Sequence, residues 1–156
     1  MHFELLFLGK TKEKYLANGI EDFRKRLSRY AEVEIKILKE IKWGNNESEK
    51  KIKEQETTRL LDSCTQPAMV VALDPGGKQI SSEELADLLQ QWEEQGRRKI
   101  TFIIGGPLGL APSVRDSADM LLSLSAMTFT HEMARLLLLE QLYRASSIRS
   151  GSKYHK

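Results

Sequence analysis

The stretch from Ile100 to Leu110 restricts the possible folds of this chain more than any other part of its sequence. Its first half, Ile100–Ile104, is apolar and β-branched, and it runs directly into the glycine-rich turn Gly105–Gly109. An apolar run without alternation is typical of a strand buried on both faces, as in a parallel sheet covered by helices. Ligands of open α/β sheets bind beyond the carboxyl ends of the strands. The turn is therefore either one wall of a binding site or a simple reversal of the chain.

Apolar runs and helical patterns alternate along the whole chain of 156 residues. The sequence predicts strands over residues 3–8, 32–38, 68–73, 100–104 and 120–124, and helices over about 15–30, 48–62, 82–95, 113–118 and 131–149. Trp43–Asn46 has the composition of a loop, and Asp74–Gly77 that of a tight turn. This order predicts an α/β fold with a mainly parallel sheet of about five strands, in a single domain over residues 1–156.

The composition excludes several classes of protein. A net charge of +2 gives no overall attraction to nucleic acid, so the distribution of charge matters more than its sum. The single cysteine, Cys64, excludes an internal disulfide framework and fits the reducing cytoplasm, where we expect the protein to work. No apolar run reaches the roughly 18 residues of a membrane span. We therefore expect no membrane span. His2, His131 and His155 lack metal-ligand spacing, so we expect no metal either.

Three loops follow predicted strands and should meet at one edge of the sheet. They begin after Leu73, Ile104 and Leu124. Their backbone groups would form a mostly apolar pocket with the side chains of Leu73, Leu108, Leu124 and Phe129. The glycine turn has neither the G-x-G-x-x-G spacing of a dinucleotide site nor the Gly-Lys-Ser/Thr of a phosphate loop. The pocket therefore suits an adenine ring and a thioether better than a triphosphate.

The last predicted helix, His131–Arg149, is apolar on nearly all sides. Such a helix is buried, either in the centre of the core or between two subunits, and its place at the end of a small domain favours a homodimer. The tail that follows contains basic and aromatic residues, which can neutralise phosphates and stack on unpaired bases. The tail is either an ordinary solvated end or part of a nucleic-acid contact.

Five segments, taken in order, resemble one known family. They are Leu73–Lys78, Ile104–Leu110, Leu122–His131, Glu140–Ala145 and the ending Tyr154–Lys156. The family is the bacterial large-subunit ribosomal RNA methyltransferase H, a minimal member of the SPOUT methyltransferases, and the resemblance covers essentially the whole chain. It implies a homodimer with an α/β sheet, helices on both faces and a deep C-terminal trefoil knot. Local patterns would not have predicted the knot, because knotted chains are very rare.

The resemblance also implies an activity and the residues that serve it. The protein would transfer a methyl group from S-adenosyl-L-methionine to N3 of a pseudouridine in 23S (large-subunit) rRNA, on the assembled ribosome. The cofactor positions correspond to Leu73, Gly105, Leu124, Ser125, Ala126, Met127, Thr128 and Phe129. The substrate positions correspond to His131, Arg144, Tyr154 and His155. Many relatives have proline where this chain has Thr130, so the loop before the last helix is expected to be less rigid here.

The target nitrogen is protonated near neutral pH, so its methylation needs removal of a proton as well as alignment with the methyl donor. His131 or His155 is the candidate base. Arg144 would hold a phosphate or stabilise the developing imide anion, and Tyr154 would stack on or hydrogen-bond the target base. No metal is required, since the sulfonium of the cofactor is itself the electrophile. Two alternatives are a non-catalytic RNA- or ribosome-binding module with a methyltransferase-like fold, and a methyltransferase of small molecules.

Overall fold

A computed structural model describes residues 1–42, 44 and 46–155 of the chain. Trp43 and Asn45 of the predicted loop, and Lys156 of the predicted ending, lie outside the described residues. The strands are β1 (His2–Leu8), β2 (Glu32–Leu38), β3 (Met69–Gln79), β4 (Lys99–Ile104) and β5 (Met120–Ser123). The helices are α1 (Lys14–Leu27), α2 (Glu49–Asp62), α3 (Ser82–Glu94), α4 (Val114–Ser117) and α5 (His131–Arg149).

The five strands form one sheet in the order β2–β1–β4–β3–β5, and every neighbouring pair is parallel. This arrangement confirms the predicted α/β class and the mainly parallel sheet of about five strands. The predicted end of β3 at Leu73 is wrong. Leu73 and Lys78 both lie opposite Leu122 of β5, so Asp74–Gly77 bulges out and the strand then resumes. The composition of Asp74–Gly77 predicts the turn, but it does not predict that the chain pairs with β5 again after the turn.

Helices cover both faces of the sheet, as expected. On one face the strands pack against apolar side chains of α1, α3 and α5, among them Leu27, Leu89 and Leu142, which are fully buried. On the other face a smaller core forms under α2 and α4, with Leu60 and Val114 fully buried. Because both faces are covered, the central strands are mostly apolar without alternation, which is the pattern seen from Ile100 onwards.

Helix α2 is packed more firmly than its polar sequence predicts. Its apolar residues Ile52 and Leu60 are buried, and Glu56 and Thr57 are buried as well. The hydroxyl Oγ1 of Thr57 accepts a hydrogen bond from the backbone N–H of Ala111 at 2.8 Å, and burial raises the pKa of Glu56. The polar and highly charged sequence of α2 predicts an exposed helix, whereas one of its faces is buried and holds the segment that follows the glycine turn.

Glu4 is a fully buried carboxylate in β1. Its Oε2 accepts a hydrogen bond from Nζ of Lys36 at 2.7 Å and lies 3.3 Å from Nζ of Lys99. Its Oε1 accepts hydrogen bonds from Oγ1 of Thr101 at 2.9 Å and from the backbone N–H of Thr65 at 3.2 Å. Burial alone would raise the pKa of Glu4, but these hydrogen bonds outweigh burial and lower the pKa to about 2.

The low pKa of Glu4 should make the stability of the fold depend on pH. The ordinary pKa is 4.5, so the ionised carboxylate stabilises the folded chain above that pH, and this contribution is lost as the pH falls through about 2. The whole shift corresponds to about 3 kcal/mol. We expect the difference in unfolding free energy between the wild type and Glu4→Gln, measured in urea, to shrink by about 2 kcal/mol from pH 7 to pH 3. A difference of equal size at both values would contradict this role of Glu4.

Candidate active site

A cleft with a volume of about 880 Å³ opens at the carboxyl edge of the sheet, where β4 and β5 end and β3 bulges out. This volume is ordinary for a small-molecule site. The walls of the cleft are Glu13, Tyr15 and Leu16 beside β1, Leu73–Pro75, Ile104–Gly109, Leu122, Leu124 and Ser125, and Met127–Glu132 with Ala134. The three loops that were expected to meet at one edge of the sheet therefore do so.

Most of the predicted cofactor residues lie in this cleft. Its lining includes Leu73, Gly105, Leu124, Ser125, Met127, Thr128 and Phe129. Ala126 belongs to the same loop, but its side chain is exposed and does not line the cleft. Leu108 lines the cleft too, so all four side chains of the predicted apolar pocket are present.

The glycine turn is shaped by close packing of the backbone on itself. A Cβ atom at Gly105 would lie 2.7 Å from the carbonyl carbon of Gly109 and 2.8 Å from its oxygen. Within the turn, the N–H of Gly109 donates a hydrogen bond to the carbonyl of Gly106 at 2.9 Å, and Gly109 has a φ of +76°. The sequence left open whether this stretch is a simple chain reversal or one wall of a binding site, and Gly105 is part of both.

The cleft has an acidic lining. Apart from the phenol of Tyr15, its ionisable residues are Glu13, Asp74, His131 and Glu132, and no lysine or arginine is among the described residues that line it. Oδ1 of Asp74 accepts a hydrogen bond from the backbone N–H of Gly76 at 2.7 Å. An excess of carboxylates in the lining disfavours a polyanion such as a triphosphate, and it favours a neutral or positively charged ligand. This charge agrees with the interpretation drawn from the glycine spacing.

The first turn of α5 connects the cleft to the loop between β1 and α1. Oε1 of Glu132 accepts hydrogen bonds from the backbone N–H groups of Lys12 at 2.6 Å and Glu13 at 3.0 Å. Arg135 is fully buried, and its Nη2 donates to the carbonyl of Leu8 at 2.6 Å. Sequence reasoning missed both contacts. Their only signal is the presence of two charged residues in the first turns of a helix that is otherwise rich in leucine.

His131 is the one predicted substrate residue that lines the cleft. Burial is the main cause that lowers its pKa below the ordinary value of 6.5, and the nearby charge of Arg135 is the next. The imidazole is therefore mostly neutral at pH 7, which is the form that can accept a proton.

The other three predicted substrate residues lie together, away from the cleft. Arg144 follows His131 in α5 by about 20 Å along the helix axis. Its guanidinium and the hydroxyl of Tyr154 both donate to Oε1 of Glu140, with Arg144 Nε at 3.0 Å and the Tyr154 hydroxyl at 3.1 Å. The guanidinium also lies 4.8 Å from the ring centre of Tyr154, and its Nη1 is 3.4 Å from Nδ1 of His155. A single chain therefore groups Arg144, Tyr154 and His155 and separates them from His131.

The described part of the chain contains neither a candidate membrane span nor a candidate metal site. None of its helices is both long and apolar enough to cross a membrane. Within residues 1–42, 44 and 46–155, no three side chains of His, Cys, Asp or Glu are grouped in a way that could hold a metal ion.

The family of this chain follows from its similarity to known proteins. Residues 1–155 match the family described as "Predicted SPOUT methyltransferase". The chain belongs to the SPOUT methyltransferase family. This membership confirms the resemblance noted from five segments of the sequence, over essentially the whole chain.

Relatives of this SPOUT methyltransferase define its family more narrowly. Proteins named "Ribosomal RNA large subunit methyltransferase H" are 49% identical over 157 residues in Desulfotalea psychrophila and 46% identical over 159 residues in Halothermothrix orenii, each with 100% of both chains covered. The chain is therefore also a member of the methyltransferase H family. A solved structure of a probable methylase family protein from Haemophilus influenzae has a TM-score of 0.56 at 12% identity, covering 99% of this chain and 70% of that one. That similarity confirms the fold alone.

Proposed function

We propose that this protein is an S-adenosyl-L-methionine-dependent methyltransferase that methylates N3 of a pseudouridine in large-subunit rRNA within the assembled ribosome. Membership of the family and the names of full-length relatives support the reaction and the kind of substrate. The observation that carries the proposal is the cleft at the carboxyl edge of the sheet, because its apolar walls and acidic lining suit this cofactor.

The residues of the cleft fit the chemistry of the cofactor. When bound, S-adenosyl-L-methionine supplies a methyl group on a positively charged sulfur. The side chains of Leu73, Leu124 and Phe129 offer apolar surface for the adenine ring and the thioether-like chain. The carboxylates of Glu13 and Asp74 offer negative charge for the cationic groups. Gly105 and the loop Leu124–Phe129 would supply backbone groups, with Ala126 contributing main chain only.

The proposed roles of the substrate residues follow from their chemistry. His131 accepts the proton of N3, for which its neutral imidazole beside the cleft is suited, and His155 is the second candidate for this role. Arg144 holds a phosphate or stabilises the imide anion, since its guanidinium is a permanent cation. Tyr154 stacks on the target base or hydrogen-bonds to it.

We further propose that the protein is a homodimer whose partner subunit completes the site. About 20 Å of helix separates Arg144 from His131 within one protomer, so one chain cannot bring both to the same nucleotide. Met133 and Leu137 on α5 are partly exposed and belong to neither apolar core of the described residues. On the cleft, Met127 and Phe129 are 76% and 40% exposed. Apolar surface of this kind is what a subunit interface buries.

Three other expectations stand as parts of the same proposal. Residues 1–156 act as one domain, which the single sheet supports. The C-terminal part forms the trefoil knot of the SPOUT family, which membership supports. The reaction takes place in the cytoplasm, where an enzyme acting on ribosomes would meet its substrate.

Transfer of a tritiated methyl group tests the proposal directly. We expect the purified protein to label undermodified large-subunit rRNA in intact ribosomes and to label naked rRNA much more weakly, because a chain of this size offers little surface for RNA. Mass spectrometry of the nucleosides should identify 3-methylpseudouridine. Absence of cofactor binding in isothermal titration would favour a non-catalytic module, and methylation of small molecules without ribosomes would favour the other alternative. Equal labelling of naked rRNA would contradict the requirement for an assembled substrate.

A further inference from the structure

We propose that the loop between β1 and α1 binds the RNA backbone at the mouth of the cleft. The segment Lys10–Tyr15, here called the lysine loop, includes the first two residues of α1 and would hold the RNA strand next to the target nucleotide. This inference rests on the proposed function and deepens it, because it assigns substrate binding to residues outside the predicted cofactor and substrate positions.

The lysine loop concentrates positive charge beside an acidic cleft. Lys10, Lys12 and Lys14 are all exposed, and none of them forms an ion pair within the described part of the chain. Glu13 is the only carboxylate residue of the loop, and it lines the cleft, whereas the three lysines do not. Positive charge therefore lies outside the cleft and negative charge inside it. Such a division suits a cationic cofactor within the cleft and a polyanion across its mouth.

The backbone of the lysine loop is fixed by α5. Glu132 accepts hydrogen bonds from the N–H groups of Lys12 and Glu13, and Nη1 of the buried Arg135 donates to Oγ1 of Thr11 at 3.0 Å. Surface loops are normally among the most mobile parts of a protein. A loop that is already fixed loses less conformational entropy on binding. The charge of Lys12 also contributes to the lowered pKa of His131, so the loop lies within electrostatic reach of the candidate base.

Tyr15 identifies RNA as the partner rather than another polyanion. Its ring is 66% exposed although it lines the cleft. An exposed aromatic ring next to lysines is the combination that single-stranded RNA recognition uses, with the lysines on phosphates and the ring stacked on an unpaired base. An acidic protein surface would use the lysines but would gain little from the ring.

The double variant Lys12→Gln and Lys14→Gln tests the lysine loop, and Arg97→Gln with Arg98→Gln is its matched control. Arg97 and Arg98 are equally exposed, but they precede β4 and so lie at the opposite edge of the sheet. We expect the loop variant to raise KM for ribosomes roughly ten-fold at low salt, and to lower the slope of log KM against log salt by about 1.5, with kcat close to wild type. The control should match the wild type in all three quantities.

Other outcomes would overturn the inference. Equal KM values and salt slopes for the two double variants would show that the loop lysines do not contact RNA. Lower affinity for S-adenosyl-L-methionine in isothermal titration, or loss of dimer in sedimentation, would assign the lysines to the cleft or to the subunit contact instead. A wild type that transfers no methyl group would contradict the proposed function. An active wild type with an unaffected loop variant would contradict only the role of the lysine loop.

Discussion

A mixture of His131→Ala and Arg144→Ala protomers is expected to regain methyl transfer that neither variant shows alone. Each single change should lower kcat by about 10²–10³-fold, because one removes the candidate base and the other a cation that stabilises developing charge. If each site combines His131 of one protomer with Arg144 of the other, a mixed dimer has one intact site and one doubly defective site. Random mixing then gives about a quarter of the wild-type rate, since half of the dimers are mixed.

The experiment needs co-refolding or co-expression of the two variants and the ribosome methylation assay. Arg149→Ala is the matched control, because Arg149 also lies on α5 but hydrogen-bonds Gln90 and pairs with Glu93, outside the proposed site. It should retain nearly full activity. No recovery in the mixture would mean that both residues act within one chain. Near wild-type turnover of His131→Ala and of His155→Ala, with cofactor binding intact, would instead show that neither histidine is the base.

Replacing Gly105 with alanine is expected to destabilise the protein and weaken cofactor binding together. The new Cβ would lie 2.7 Å from the carbonyl carbon of Gly109, and backbone atoms on both sides of the turn cannot move aside as a flexible side chain would. Overpacking of this kind costs about 1–3 kcal/mol. Urea unfolding measures the loss of stability, and isothermal titration with S-adenosyl-L-methionine measures the effect on the cleft.

Gly106→Ala is the control for this prediction, because it changes the neighbouring residue of the same turn. A Cβ at Gly106 has its nearest neighbours at 3.8 Å, from Glu56 and Leu8, which is an ordinary van der Waals distance. We expect this variant to be close to the wild type in stability. If both variants lost the same unfolding free energy, the loss would come from general stiffening of the turn rather than from the contact at Gly105.

Local sequence patterns were sufficient for most of the fold. The apolar run before Gly105 predicts a strand covered on both faces, and the bounds of α5 at His131 and Arg149 agree with those in the structure. The convergence of three loops also follows from sequence, because the carboxyl ends of parallel strands share one edge. The expected knot, by contrast, rests only on membership of the family, since no local property of a residue encodes how a chain threads.

The contacts that sequence reasoning missed join residues far apart in the chain. Glu4 meets Thr101, and Glu132 meets Lys12, across 97 and 120 positions respectively. A charged residue in a strand or helix looks the same in sequence whether it faces solvent or a distant partner, so its burial cannot be read from local periodicity. The distance between Arg144 and His131 was missed for a related reason. Assigning both residues to the substrate does not reveal how much helix lies between them.

The hydrogen bonds from the first turn of α5 to the segment after β1 have a consequence for the order in which the molecule can form. The carbonyl of Leu8 and the amides of Lys12 and Glu13 gain these partners only when residues 132–135 are in place. One wall of the cleft can therefore form fully only after nearly the whole chain has been synthesised. Pairings this distant in sequence are slow to form, because most of the chain must be closed into a loop first. The cleft is therefore completed only with the last helix.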